Sequence, residues 1–442
     1  MKFLPVLRSI KKQMNAGVVL LFAAAAALVI ANSPLADLYF RIFEETRISI
    51  DFGPWKLDKP LYYWINDGLM AIFFFLIGLE VKRELLVGEL SSVKKASLPL
   101  LAAVGGMLVP ALIFVAFNYN EPLYINGWAI PMATDIAFAL GVIALLKDRV
   151  PVELKVFLVS LAIVDDIGAV LAIAVFYTEE ISLMYLFISL SVFLFLFLLN
   201  GLGVRVFWVF IVIGIFGLWY PLLKSGVHAT IAGVLLAFTI PMKRKSNITD
   251  FLTDANDALQ AFGKYKSGEG SFILQPEQYD SITQIRESIA GISSPLQRIE
   301  HSLHNFTLYF IMPLFAFANT GIRFSGVDWS LVFTVSLPIG IMLGLLLGKV
   351  LGVSLFVWIF RKLNLIKLPS NIKLRHIIGA GFLAGIGFTM SIFITDLAFH
   401  GDKLIDLSKM AILIASLSAG LIGYFILRSG GKHSVLPDDL TS

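Results

Sequence analysis

Apolar runs near the ~20 residues that cross a bilayer as a helix recur along the whole of this 442-residue chain. Polar breaks separate twelve of them, at residues 16–31, 61–79, 96–117, 127–146, 156–176, 181–199, 204–219, 222–240, 303–321, 331–358, 376–399 and 410–427. Charged residues make up 15% of the chain and hydrophobic ones 57%, against about 25% charged in soluble domains. An ordinary water-soluble enzyme is therefore excluded, and the fold class is an all-α polytopic membrane protein whose main partner is the lipid bilayer. The net charge of +4 is small for this length, so basic span boundaries explain it better than a nucleic-acid partner. The absence of cysteine rules out disulfides, thiolate metal sites and a cysteine nucleophile. The first run follows Lys2, Arg8, Lys11 and Lys12, a pattern shared with cleaved signal peptides. Eleven further runs behind it favour a retained helix.

Alternate inter-span segments differ in charge. One set, which includes both termini, carries 26 of the 35 lysines and arginines, the other carries 8, and Lys349 lies within a span. Basic residues collect on the cytoplasmic side, which predicts both termini inside. The expected organisation is one unit over residues 1–428 with a cytoplasmic tail at 429–442.

Two inter-span segments stand out. In the outer segment 41–59, alternating residues from Arg47 to Asp58 flank a Gly-Pro pair and read as a β-hairpin or, alternatively, an irregular loop. The cytoplasmic insert 243–297 is polar, with Ile282, Ile285 and Ile289 at the spacing of a surface-lying helix. It contains no catalytic or nucleotide-binding motif.

A charge at mid-membrane depth costs at least about 2.5–3.5 kcal/mol and calls for a function or a partner. Asp135, Asp165, Asp166 and Lys349 all lie well inside expected spans. Successive helical residues point about 100° apart, so Asp165 and Asp166 divide their targets. One joins Asp135 to hold a cation, while the other faces Lys349. Carboxylate oxygens suit small hard cations, and such a pair takes up a metal ion or protons in competition. Buried salt bridges that only hold helices together would use the same residues, though three acids against one base leave surplus negative charge.

The fourth run carries Pro131 and Gly141 around Thr134-Asp135. The eleventh reads Gly379-Ala-Gly-Phe-Leu-Ala-Gly385-Ile-Gly387-Phe-Thr389-Met-Ser391. Both read as helices broken in mid-membrane, where freed backbone groups survive only beside protein or water. Helix N-termini carry partial positive charge and C-termini partial negative charge. Asp135 is placed to offset the first and Lys349 the second.

Several long motifs, among them Trp64-Ile-Asn-Asp67, Gly78-Leu-Glu-Val-Lys-Arg-Glu-Leu85, Ala133-Thr-Asp-Ile-Ala-Phe-Ala-Leu-Gly141, Ala162-Ile-Val-Asp-Asp-Ile-Gly168, Ser225-Gly-Val-His-Ala-Thr-Ile-Ala-Gly233, Phe315-Ala-Phe-Ala-Asn319 and Gly385-Ile-Gly-Phe-Thr-Met-Ser-Ile-Phe393, resemble the NhaA-type sodium/proton antiporters of bacterial inner membranes. The resemblance spans most of the chain. It implies twelve helices with inverted-topology repeats, crossed interrupted fourth and eleventh helices, and exchange of sodium or lithium for protons without a cofactor. By the same resemblance Asp166 is the main cation and proton carboxylate, Asp135 sits at the helix crossing beside Thr134, and Asp165 partners Lys349. Glu80, Arg83, Glu84, Glu300, His301, His304 and His228 match a pH-sensing set active at alkaline pH. The outer hairpin matches a homodimer contact. The insert is longer than the family's short loop, which puts the spacing of the pH-sensing set in question. An intramembrane aspartyl protease has a similar inventory of acids, but its Gly-x-Gly-Asp signature is absent. Broken helices also suit a passive cation channel, and a symporter for an organic solute is the third rival.

Overall fold

A computed structural model describes residues 4–51, 53, 56–178, 181–244, 247–264, 274–326, 328–366, 368–369 and 371–429. The expected tail beyond residue 429 and the centre of the insert lie outside these residues. The fold is mostly helical. Helix α1 (Leu4–Ala31) is followed by α2 (Ala36–Glu45), bent from it by 119°. Strands β1 (Arg47–Asp51) and β2 (Lys56–Pro60) pair antiparallel, with Arg47 opposite Pro60 and Asp51 opposite Lys56. The expected hairpin is therefore present, though Phe52, Pro54 and Trp55 at its turn lie outside the described residues. Next come α3 (Leu61–Val87), α4 (Val93–Asn118), a 3₁₀ segment (Ile125–Met132), α5 (Ile136–Leu145), α6 (Val152–Phe176), α7 (Leu183–Gly201), α8 (Phe207–Lys224) and α9 (Thr230–Thr239).

The insert holds two helices, α10 (Ile248–Lys264) and α11 (Pro276–Ile292), packed on each other. The isoleucine periodicity anticipated the second, while the first was read as loop although Ile248, Phe251, Leu252, Ala255 and Leu259 recur at helical spacing opposite Asp250, Asp254 and Asp257. The chain continues through α12 (295–319), α13 (Trp329–Thr334), α14 (Ser336–Lys362), α15 (Leu374–Ala384), α16 (Phe388–Ala398) and α17 (Asp402–Arg428).

Among the described residues, eight helices are long and apolar enough to cross a membrane, or ten if each bent pair counts as one span. Two expected runs fall short of that measure. Leu222 belongs to the end of α8, so the eighth run is left with the ten residues of α9. The ninth starts in polar sequence and is interrupted by a π-helical turn at Thr307–Ile311.

The core lies where small residues let backbones approach, as expected of helices packed in lipid. Ala16, Leu20, Ala24, Ala27 and Ala31 form the buried stripe of α1, and Gly17 meets Gly141 on α5. Helices α4 and α14 touch at Gly105 and Gly352, where a Cβ on either glycine would overlap the other's carbonyl oxygen. This close approach sets α14, and Lys349 on it, against the centre of the bundle.

Candidate ion-binding site

Two interruptions of helical structure build the site. The first is the extended stretch Ala133–Asp135, between the 3₁₀ segment carrying Pro131 and α5. The second is Gly385–Gly387, where α15 and α16 meet at 46°. A side chain on Gly385 would run into the Leu345 carbonyl, and one on Gly387 into Ser391. The breaks lie against each other, because the Asp135 N–H donates to the Ile386 carbonyl at 2.7 Å.

Asp135 caps two helices. Its Oδ1 accepts from the Phe138 N–H at 3.0 Å, at the start of α5. Its Oδ2 accepts from the Thr389 N–H at 3.3 Å and hydroxyl at 2.5 Å, at the start of α16. The positive ends of both helices thus face one buried carboxylate. The Thr134 hydroxyl lies 2.8 Å from both the Ala384 carbonyl and Asp165 Oδ2, and its single proton serves one of them at a time.

Lys349 is fully buried, with Nζ 2.5 Å from Asp165 Oδ2. It was expected to offset a helix C-terminus. Instead the carbonyl end of α15 is met by Thr134 and by the Asp135 N–H, which leaves the ammonium to Asp165. A π-helical turn at Gly344–Gly348 immediately precedes Lys349.

Asp166 is differently placed. Its Oδ2 is buried and accepts no hydrogen bond from the described residues. The charges that act on it are Asp165, Glu80, Asp135 and Lys349. It also lines a cavity of about 50 Å³ with Thr134, Glu80, His304 and apolar residues including Phe73 and Met390. Of the three acids, Asp135 and Asp165 have protein partners for at least one oxygen, whereas the buried Asp166 Oδ2 has none and its residue borders the cavity.

The cavity leads away from the hairpin to a cluster of charges. Arg83 lies 3.0 Å from Glu300 and 3.2 Å from Glu84, and His304 lies 3.5 Å from Glu80. Burial pushes the Glu300 carboxyl above its ordinary value, more than Arg83 draws it down. His301 is on the same helix but exposed. His228 does not join this cluster. It sits 3.5 Å from Asp67 and against the Phe393 ring. Asp67 is thirteen residues from Glu80 along α3, about 20 Å at helical rise.

Sequence reasoning passed over Asp396 and Lys409, which form an ion pair at 3.3 Å. Both lie within a few residues of expected span ends and read as boundary charges. Their faint signal was that Met410 and the residues after it are apolar, and that Asp396 stands three residues inside the end of its expected span.

Interrupted helices holding buried acids and a buried lysine, in a bundle of apolar spans, define an integral membrane protein built around an ionisable centre. The chain matches the family described as Na+/H+ antiporter 1 over residues 8–427. It is 44% identical to Na(+)/H(+) antiporter NhaA 1 of Saccharophagus degradans over 99% of this chain and 94% of that protein. It is 46% identical to NhaA of Oleidesulfovibrio alaskensis over 94% of this chain and 91% of that one. With NhaA of Escherichia coli it shares 43% identity over 95% and 97% of the two chains. The chain belongs to the NhaA family of sodium/proton antiporters.

Proposed function

We propose that this protein exchanges cytoplasmic sodium or lithium for external protons across a bacterial inner membrane, by alternating access around one site. The observation that carries this reading is the Asp166 carboxylate, which borders the cavity with its Oδ2 buried and unbonded, beside an Asp135 already held in place by Thr389. The excess of lysine and arginine supports an orientation with both termini and the Arg83–Glu300 cluster in the cytoplasm and the hairpin outside. The cavity then connects the site to the cytoplasm.

In this cycle, deprotonated Asp166 takes sodium from the cytoplasm, with Asp135 and the Thr134 oxygen as further hard ligands. The loaded protein opens outward at the crossed, repeat-related breaks and releases sodium. Protons then replace the ion, and the protonated form returns. Lys349 balances Asp165 throughout, or gives up its own proton to the cycle. When more than one proton enters per sodium, each turn moves positive charge inward, and the membrane potential contributes about 2.3 kcal/mol per charge at 100 mV. Glu80, Arg83, Glu84, Glu300, His301 and His304 bias the cycle toward alkaline pH, and the hairpin joins two copies into a homodimer. Residues 1–428 act as one transport unit.

The test uses everted vesicles carrying a proton gradient and a pH-sensitive dye. Sodium or lithium is expected to collapse the gradient, potassium to leave it, and Asp166→Asn to abolish the response. Absence of any cation response across pH overturns the exchange reading and returns attention to a solute symporter.

A further inference from the structure

Thr307 carries a hydroxyl that the fold leaves unused. The residue is 1% exposed, and its Oγ1 is buried without a hydrogen-bond partner among the described residues. Helical hydroxyls elsewhere in this protein bond to the carbonyl four residues back, as Thr395 does to Ser391 and Ser189 to Tyr185, both at 2.9 Å. At Thr307, where a π-helical turn begins, the backbone N–H is shared between the Leu303 and His304 carbonyls and the hydroxyl takes neither. A buried hydroxyl left unpaired costs stability, and π turns are frequent at functional sites. Among the described residues four serine and threonine hydroxyls are so placed, and Thr307 is the one whose residue borders the cavity at Asp166.

Helix geometry sets its place on that wall. His304, Thr307 and Leu308 are three and four residues apart on α12, so one face of the helix brings all three to the cavity. Thr307 stands about 4.5 Å further in than His304 at helical rise, beyond the Glu80–His304 contact at 3.5 Å. The wall beside it is apolar, with Ile77 and Met312. At about 10–15 Å³ for each water, the cavity of about 50 Å³ holds roughly four. A sodium ion inside it therefore cannot keep water on every side and needs oxygen from the wall. Glu80 and Asp166 both offer carboxylates there, while the Thr134 hydroxyl is engaged with Asp165 and the Ala384 carbonyl. Thr307 holds the one hydroxyl on this wall with no partner. Rotation about its Cα–Cβ bond exchanges hydroxyl and methyl, and helical threonines occupy two rotamers.

We infer that Thr307 is a cation ligand of the cytoplasm-facing state, whose Oγ1 replaces a water on sodium in passage between Glu80 and Asp166. The inference rests on the sodium/proton exchange and the orientation proposed above. It adds to the entry path a neutral oxygen, which suits a hard cation without holding it as a further charge would.

The experiment measures the KM for sodium from each face at one alkaline pH, in everted vesicles for the cytoplasmic face and right-side-out vesicles for the outer one. Thr307→Val keeps the shape and removes the oxygen. It is expected to raise the cytoplasmic KM about ten-fold, the factor of one hydrogen bond to a charged group, and to leave the external KM unchanged. Thr307→Ser, which keeps the hydroxyl, retains the wild-type value on both faces. Because the hydroxyl has no protein partner, Thr307→Val is also expected to unfold no earlier than wild type in detergent. An unchanged cytoplasmic KM, equal rises on both faces, or a rise that Thr307→Ser shares overturns the inference. So does a rise accompanied by earlier unfolding, which assigns the hydroxyl a structural bond. If Thr307→Val does not reach the membrane, Thr307→Ala decides by the two KM values alone. Wild-type vesicles without sodium-driven proton movement on either face overturn the exchange reading itself, before any variant is compared.

Discussion

Asp135 and Thr389 stand on two different interrupted segments, and the hydroxyl of the second lies 2.5 Å from the carboxylate of the first. Together with the Thr389 N–H at 3.3 Å, this contact joins the two breaks through one side chain. A hydrogen bond to a charged group contributes about 1.5–3 kcal/mol. Thr389→Val keeps the shape and removes the donor. It is expected to lower stability by about that amount and to weaken apparent sodium affinity, read by thermal unfolding in detergent and by the sodium dependence of exchange.

The Lys349–Asp165 pair is buried on both sides. Removing one partner of such a pair costs about 3–5 kcal/mol, whereas neutralising both is often close to neutral. Lys349→Met alone is therefore expected to destabilise strongly, and Lys349→Met with Asp165→Asn to recover most of the loss. Transport by the recovered double variant separates the lysine's two roles. If its dependence on membrane potential matches wild type, Lys349 carries no proton in the cycle.

Glu300 gives stability a pH dependence. Burial raises its carboxyl above the ordinary 4.5, Arg83 opposes this, Glu80 and Glu84 add to the rise, and His304 lowers it. The folded protein then binds the proton more tightly than the unfolded chain does. Its contribution is fully present below pH 4.5 and is lost as pH climbs through the raised value. Glu300→Gln is expected to flatten the thermal-stability profile over that window. A profile as steep as wild type would assign the slope to another group.

The insert helices α10 and α11 have each other as principal partners. Replacing residues 247–292 with a short flexible linker is expected to leave sodium-driven exchange in everted vesicles within about two-fold of wild type, as loop-length changes cost only a few tenths to about one kcal/mol. Loss of exchange with normal membrane insertion would place the insert inside the transport cycle.

Much of the site was legible because a membrane makes errors expensive. Asp135, Asp165, Asp166 and Lys349 stood out against apolar neighbours, and the glycines around Gly385 marked the second break. Spacing alone left open which of Asp165 and Asp166 faces the lysine, since neighbouring helical positions differ only in direction. The location of His228 was also hidden. Its partner Asp67 is far away in sequence, and only the packing of α3 against α9 brings the two together. The 119° bend after α1 escaped for a related reason, since nothing local marks its angle, whereas the first insert helix was legible in the apolar spacing of Ile248, Phe251, Leu252, Ala255 and Leu259 and was passed over. Asp396 and Lys409 were read as ends of spans, because hydropathy shows where a helix becomes polar without showing whether that end is buried.

Three of the wide helical turns sit level with polar side chains: Trp64–Leu69 holds Asn66 and Asp67, Thr307–Ile311 borders the cavity, and Gly344–Gly348 precedes Lys349. A π turn accommodates one surplus residue and leaves its backbone carbonyls less evenly paired than an α turn does. In a membrane such groups persist only beside protein or water, so these turns mark where the three helices face the interior of the bundle rather than lipid. Converting any one of them to a regular α-helix would turn the polar side chain it positions by about 100°.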